Sequence, residues 1–568
     1  MRQQVFSFAA AVLAGWLGVF VASGRAQEKP AEPKSDPAAA RIYQDAANAQ
    51  NGMAFEIAEE GWRKLLKDFP KDPLAAKAQH YLGVCLLQQK KLPEAVAAFS
   101  AVVKDHPNFE FLEDALLNLA STQYTLAAGG KKELYPAAAD SFAALLKQFP
   151  KGKYVEEALY LQGESLYAQE TPEKKTAAVA AYEKLVKEHP KATRRADALY
   201  ALGFTLEELG KYPEAGNAFD DFLAEFPDHA LKTEVQMHKG ETVFQAGDYA
   251  AAEKLFTTVA AVKGFASADH ALLRQAQCLA KQKKLAEAGA IFAKIPTDFP
   301  QSVYKADATI AAGRSYYAAE KLAEAAPWLE RAVAAKDAAS PEAAHLLCRT
   351  LIRTGKPQEA ADLAAAQLKA GGDSPFLVDL ALDQADALYE IPAKRAESLP
   401  LYVQLATAEP PSKVAPLARY YAAFTALELK QDDAALKHAE AFIAAHPKDD
   451  LLAEVKYIAA ESNRRLGKLP EAEKGFADLV ATHADKGEID LWRLRLALVL
   501  NQQKKFAETV ALLTPLASKF KKPEGKAEAQ FRLAAAQLAL NKPAEAEAAA
   551  AASLAASKDW DFADEALL

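Results

Sequence analysis

Residues 196–227 read ADALYALGFTLEELGKYPEAGNAFDDFLAEFP. Ala198, Leu199, Leu202, Gly203 and Leu206 recur at helical spacing and share one face. Gly210-Lys211 breaks that helix, because glycine accepts the left-handed conformation at a helix C-terminus. Pro213 then stands in a first helical turn, where its missing N–H costs nothing. Ala215, Phe219 and Phe222 give the second helix its apolar face, and Phe226-Pro227 stops it. The stretch is a helix, a turn and a helix.

The same pattern recurs on both sides. Helix-ending Phe-Pro or His-Pro pairs place prolines at 70, 107, 150, 190, 227, 300 and 447. Pro70 to Pro107 and Pro190 to Pro227 are each 37 residues apart. Pro227 to Pro300 is 73, room for two units with Gly264 in the missing proline's place. A fixed period with two helices per unit predicts an all-α solenoid. Fourteen units fit between residues 39 and 558, the first and tenth being the weakest matches. A lone helix pair cannot bury enough apolar surface to offset its ordering entropy, so the units must stack.

The stretch resembles a tetratricopeptide repeat through Leu199, Leu202-Gly203, Leu206, Gly210, Tyr212, Ala215, Phe219 and Pro227. It departs from that family in two places. Leu199 replaces the usual tryptophan, and Phe222 stands where a small residue is commoner. The repeats also exceed the family's usual length of about 34 residues. This longer form is similar to bacterial envelope members such as the periplasmic coordinator of the Tol–Pal system and the outer-membrane assembly lipoprotein. The resemblance implies a right-handed superhelix of about fourteen hairpins whose first helices line a concave face. It implies protein or peptide partners and a non-enzymatic scaffold in cell-envelope organisation.

Composition agrees with an extended helical surface. The chain has 568 residues, 51% of them hydrophobic and 25% charged, and a formal charge of -8. Acidic and basic side chains are interspersed, and without a dense Lys/Arg stripe nucleic acid is not an expected partner. Cys85, Cys278 and Cys348 fall in first helices, where they read as small buried hydrophobes. Their odd number and wide spacing fit neither a zinc site nor a disulfide framework.

At the amino terminus, Arg2 precedes an apolar run from Val5 to Ala22. Gly24 and Ala26 then occupy the places a signal peptidase reads. The expectation is a signal peptide over 1–26 and a periplasmic or otherwise exported protein. The alternative is an uncleaved inner-membrane anchor, since 18 apolar residues are just long enough to span a bilayer. No lipid anchor is expected, as the first cysteine is Cys85. Residues 27–38, with three prolines, read as a flexible spacer. Ala370-Gly371-Gly372-Asp373-Ser374-Pro375 is the most helix-hostile interruption, so the array divides into 39–372 and 373–568. At the carboxyl end, Asp561–Leu568 (DFADEALL) opens another first helix without a polar cap. An unfinished array, or an end that docks on a partner or a second copy, is expected there.

Tyr160, Tyr200, Tyr420 and Tyr457 each stand three residues before a Gly or Ala on a first helix. Together with Phe204 they form the candidate partner-binding groove, since tyrosine gives large contact area at low entropy cost. The competing reading is packing between repeats. The positions where related proteins clamp a terminal carboxylate hold Tyr200 and Phe204, or His80 and Val84, so that clamp is absent. Glu156-Glu157 and Glu207-Glu208 read as solvated faces. No phosphate loop, zinc-protease motif or histidine cluster occurs, so no catalytic residue, cofactor or metal is assigned. The competing functions are the helical part of a cell-wall or glycan enzyme and a cytoplasmic adaptor.

Overall fold

The computed structural model describes residues 34–484, 486–557 and 560. The expected signal peptide over 1–26, most of the spacer and Asp561–Leu568 lie outside the described residues. All regular structure among the described residues is helical. Fourteen antiparallel hairpins follow one another, from Pro37–Asn51 with Phe55–Asp68 to Pro523–Ala539 with Pro543–Ala556. They match the fourteen units read from the period, and we number them as repeats 1 to 14.

One boundary needs correction. The spacer was expected to reach Ala38, but the first helix begins at Pro37. Its cap explains why. Asp36 accepts a 2.7 Å bond from the Ala38 N–H, and Pro37 suits a first turn. Ser35 Oγ donates to Asp72 Oδ1 at 2.8 Å, which ties this segment to the next repeat.

The chain divides into two compact units, up to Gln282 and from Lys283 onward. The expected boundary at 372/373 falls inside the second of these. Gly371 and Gly372 form a loop with φ of 71° and 112°. One core nevertheless continues past it, joining Ala360 and Ala364 to Leu380, Ala387 and Leu388.

Within a hairpin, packing rests on a size match between two positions. In repeat 5 (Arg195–Glu208 and Tyr212–Glu225) a Cβ on Gly203 would lie 2.5 Å from the Phe219 ring. Gly83 with Phe99, Gly163 with Tyr182 and Gly240 with Phe256 repeat that relationship. In repeat 9 the match is reversed, since Cys348 and Ala364 hold the equivalent places and both are buried. The ring and the missing side chain are thus one unit of packing. A fully buried ring of this kind contributes about 1.5–3 kcal/mol over leaving it exposed. Leu199 and Phe222, the two departures from the family pattern, are also fully buried.

The turns inside hairpins demand a left-handed residue. Gly210, Gly247, Gly355 and Gly467 have φ between 72° and 87°. Lys90, Glu170, Lys283, Glu320, Lys430, Lys504 and Asn541 hold the same place with φ between 57° and 64°. After most of them the next N–H bonds back five residues, as Lys211 N does to Leu206 O and Gln431 N to Ala426 O. This six-to-one bond closes the first helix as a Schellman motif does. Repeat 10 differs, turning instead through a short 3-10 segment, Pro392–Lys394.

At the other end of the hairpin, the residue before the terminating proline leaves the helix. Phe226 has φ of −127° and His106 of −130°. A following proline disfavours helical geometry at that residue, which explains the recurring Phe-Pro and His-Pro pairs. The three cysteines are free and buried. Burial pushes the Cys85 and Cys278 thiols up to about 12, so they are inert packing groups.

Candidate functional site

In the first compact unit, Tyr160, Tyr200 and Phe204 lie on successive first helices, Val155–Tyr167 and Arg195–Glu208. Tyr200 is only 5% exposed, so its ring belongs to the core. It packs 6.2 Å from Phe204 and 6.0 Å from His238 of the next repeat. Tyr160 is half-buried beneath the Arg194 guanidinium, 5.3 Å from its centroid. Phe204 is half-buried, edge-on to His238 at 5.0 Å. His80, at another candidate clamp position, is also closed off, enclosed by Tyr81, Phe99, Phe109 and Phe111.

Charge follows the aromatic file. His238 Nδ1 lies 2.9 Å from Glu207, and His238 Nε2 lies 3.6 Å from Glu234. Burial opposes a charge on this ring, but the bonds to Glu207 and Glu234 outweigh it and raise its pKa to about 9. One repeat on, Arg274 Nε donates to Glu241 at 2.8 Å. The Glu207-Glu208 pair is therefore not a plain solvated face. Glu207 binds the next repeat, and Glu208 pairs with Lys175 at 3.1 Å. Sequence reading missed these ties because each partner lies some thirty residues away.

In the second compact unit, Tyr420 and Tyr457 are half-buried on first helices Ala415–Glu428 and Leu452–Arg465. Tyr420 stacks 6.0 Å from Phe424 and lies 5.2 Å from Tyr421. Tyr457 meets Phe476 at 6.0 Å. These two tyrosines therefore sit in separate aromatic contacts.

A second polar constellation was also not read from the sequence. Asp383 and Asp386 lie one turn apart on Leu377–Tyr389, the first helix of repeat 10. Asp383 is 1% exposed and accepts from His345 Nδ1 at 2.6 Å. Asp386 accepts from Arg349 Nη1 at 3.0 Å and from the Tyr402 hydroxyl at 2.8 Å. Arg349 also lies 3.9 Å from Asp383. Burial raises the Asp386 carboxyl to about 6 despite both bonds. Beside this cluster is a cavity of about 210 Å³, lined by Arg349, Ile352, Arg353, Asp386, Tyr389, Glu390, Tyr402 and Tyr421. The available signal was the three-residue spacing of two aspartates in the most irregular unit. Their burial comes from side chains of neighbouring helices, which helical periodicity does not report.

Among the described residues no group of three or more His, Cys, Asp or Glu is placed to hold a metal ion. None of the described helices is long and apolar enough to cross a membrane.

Two family models, both described as "Tetratricopeptide repeat", match this chain. One covers residues 50–108 and 239–303 and the other residues 157–192 and 197–229. No curated protein matches the sequence. Among solved structures, a tetratricopeptide repeat protein from Parabacteroides merdae ATCC 43184 is 18% identical, with a TM-score of 0.29. That match spans 49% of this chain and 99% of the other. The APC/C hetero-tetramer Cut9-Hcn1 gives 13% identity and a TM-score of 0.30, over 93% of this chain and 95% of that one. The structure of Naa15/Naa10 bound to HypK-THB gives 12% identity and 0.36 over the same shares. With these family matches and a hairpin geometry that repeats fourteen times among the described residues, the chain carries tetratricopeptide repeats.

Proposed function

We propose that the protein is a non-enzymatic scaffold that holds protein partners along the first helices of its repeats. The observation that carries this reading is the file of half-buried aromatic and ionised side chains on those helices. Tyr160, Phe204 and His238 stand in one unit, and Tyr420 and Phe424 in the other. Such groups give contact area and directional charge at low ordering cost, which suits binding an extended segment of another chain. Tetratricopeptide repeats supply the general expectation of a protein-binding role, while the partner's identity must come from experiment.

The proposed setting is the cell envelope, supported by the leader-like residues 1–26. The proposed membrane contact is through that leader alone, where it is kept. A photo-cross-linking amino acid placed at Phe204 or Tyr420 in cells tests the reading. Adducts with a discrete set of exported proteins are expected. Uniformly uncross-linked protein, or a mature protein that begins at Met1 in the cytoplasm, argues against the scaffold and its export respectively.

A further inference from the structure

We propose that the cavity between repeats 9, 10 and 11 receives one basic side chain, lysine or arginine, from a peptide lying along the first helices. The inference rests on the peptide-binding reading above and specifies one contact of it.

The charge around the cavity is unbalanced. Arg349 is shared between Asp383 at 3.9 Å and Asp386 at 3.0 Å. Arg353 also lines the cavity, but it pairs with Glu320 of the preceding repeat and lies over the Tyr317 ring at 5.9 Å. Glu390 lines the cavity, is exposed, and has no ion pair among the described residues. Of the charged groups at the cavity, Arg349 is thus taken by Asp386, Arg353 by Glu320 and Arg395, on the Tyr389 ring, by Glu428 at 3.9 Å, which leaves Glu390. The unmatched group at the rim is an anion, so the missing partner is a cation.

The walls suit a cation as well. Tyr402 and Tyr421 stack with centroids 5.3 Å apart, and Tyr389 completes the aromatic lining. Tyr389 already holds a guanidinium, that of Arg395, at 4.6 Å from its centroid. A second cation against the half-buried Tyr421 ring, which Tyr402 backs from the core, would use the same attraction between positive charge and aromatic face. Ile352 offers an apolar wall for the methylene stem of a long basic residue. With about 210 Å³, the cavity takes one such side chain rather than a length of backbone.

Asp386 supplies the third argument. Burial holds its carboxyl up to about 6 although Tyr402 and Arg349 both bond to it. Its desolvation is therefore incompletely compensated, and an entering cation relieves it. An anionic ligand would meet Asp386 and Glu390 and increase that cost.

The test is selection from a phage library of random heptapeptides on the full chain. Wild type is compared with Asp386→Asn, Glu390→Gln and the double variant, each first checked by circular dichroism. Heptapeptides retained by wild type are expected to be enriched at least fivefold in lysine or arginine. The double variant should lose that enrichment while still retaining peptides. Retention with no basic preference, or a preference unchanged in the variants, overturns the pocket assignment and leaves the scaffold reading standing. Retention of no peptide at all overturns both. Glu390 is exposed, so Glu390→Gln keeps the test valid if Asp386→Asn fails to fold.

Discussion

His238 Nδ1 lies 2.9 Å from Glu207 Oε2, although 31 residues separate them in the chain. The pair bolts the first helix of repeat 6 to that of repeat 5. It also makes stability depend on pH in a defined direction. The folded-state pKa is about 9 against an ordinary 6.5, so the folded chain holds a proton that the unfolded chain releases. The stabilisation is therefore complete below about pH 6.5 and is lost as pH rises through 9, with a size of about 3 kcal/mol at most. Denaturant unfolding of wild type and His238→Gln should show the largest gap at pH 6 and a smaller one at pH 10. A gap that does not vary with pH would exclude an ionised pair.

Asp386 has the same pH sense as His238, the reverse of what a paired carboxyl ordinarily shows. Its pKa is raised from 3.8 to about 6, with Asp383 and Glu390 adding to the effect of burial and Arg349 and Tyr402 opposing it. The protonated group's contribution is present below about pH 4 and lost as pH rises through 6. Asp386→Asn should therefore gain on wild type by about 3 kcal/mol at most between pH 4 and pH 7. The variant keeps a hydrogen-bond acceptor for Tyr402, and Arg349 keeps Asp383. Calorimetric scans at the two pH values measure the difference.

Lys430 closes the first helix of repeat 11 with φ of 57°. A side chain in the left-handed region costs roughly 1–2 kcal/mol relative to glycine. The lysine charge near the last carbonyls offsets some tenths of this. Lys430→Gly is thus expected to raise stability by about 0.5–1 kcal/mol, despite the greater flexibility glycine gives the unfolded chain. Lys504→Gly and Lys90→Gly should behave alike. A loss in all three would mean that these lysines make contacts worth more than the strain.

Ala215 is fully buried where the helices of repeat 5 meet. Ala215→Leu overpacks that crossing, at a cost of about 1–3 kcal/mol. Repeats couple mainly to their neighbours, so hydrogen exchange should accelerate between residues 195 and 245 and stay unchanged near residues 37–68. Uniform acceleration would contradict nearest-neighbour coupling.

The repeat register was legible because proline and glycine punctuate it and Gly203 faces Phe219. The local chemistry of each helix end was legible for the same reason. What stayed hidden depends on neighbours. Lys90 and Lys430 take the place of Gly210 because the cap bond and tertiary packing override residue preference. Tyr200 and Tyr160 look equivalent in spacing, yet the His238 ring covers the first and the Arg194 guanidinium lies over the second. Asp383 and Asp386 look like a solvated face until Tyr402, Arg349 and His345 are brought against them. A pattern within one helix reports which side is apolar, not which polar side the next repeat will cover.

The polar ties between repeats have a consequence for how the chain is made. Glu207 and His238 are 31 residues apart, Glu241 and Arg274 33, and Glu113 and Tyr154 41. The separations stay near one period while the chain is many periods long. Low contact order of this kind favours fast folding from local nuclei. A growing chain can therefore complete each hairpin against the one before it as synthesis proceeds, without waiting for a distant segment. For the same reason, whole repeats are the natural unit by which such a gene can lengthen or shorten and still encode a folded product.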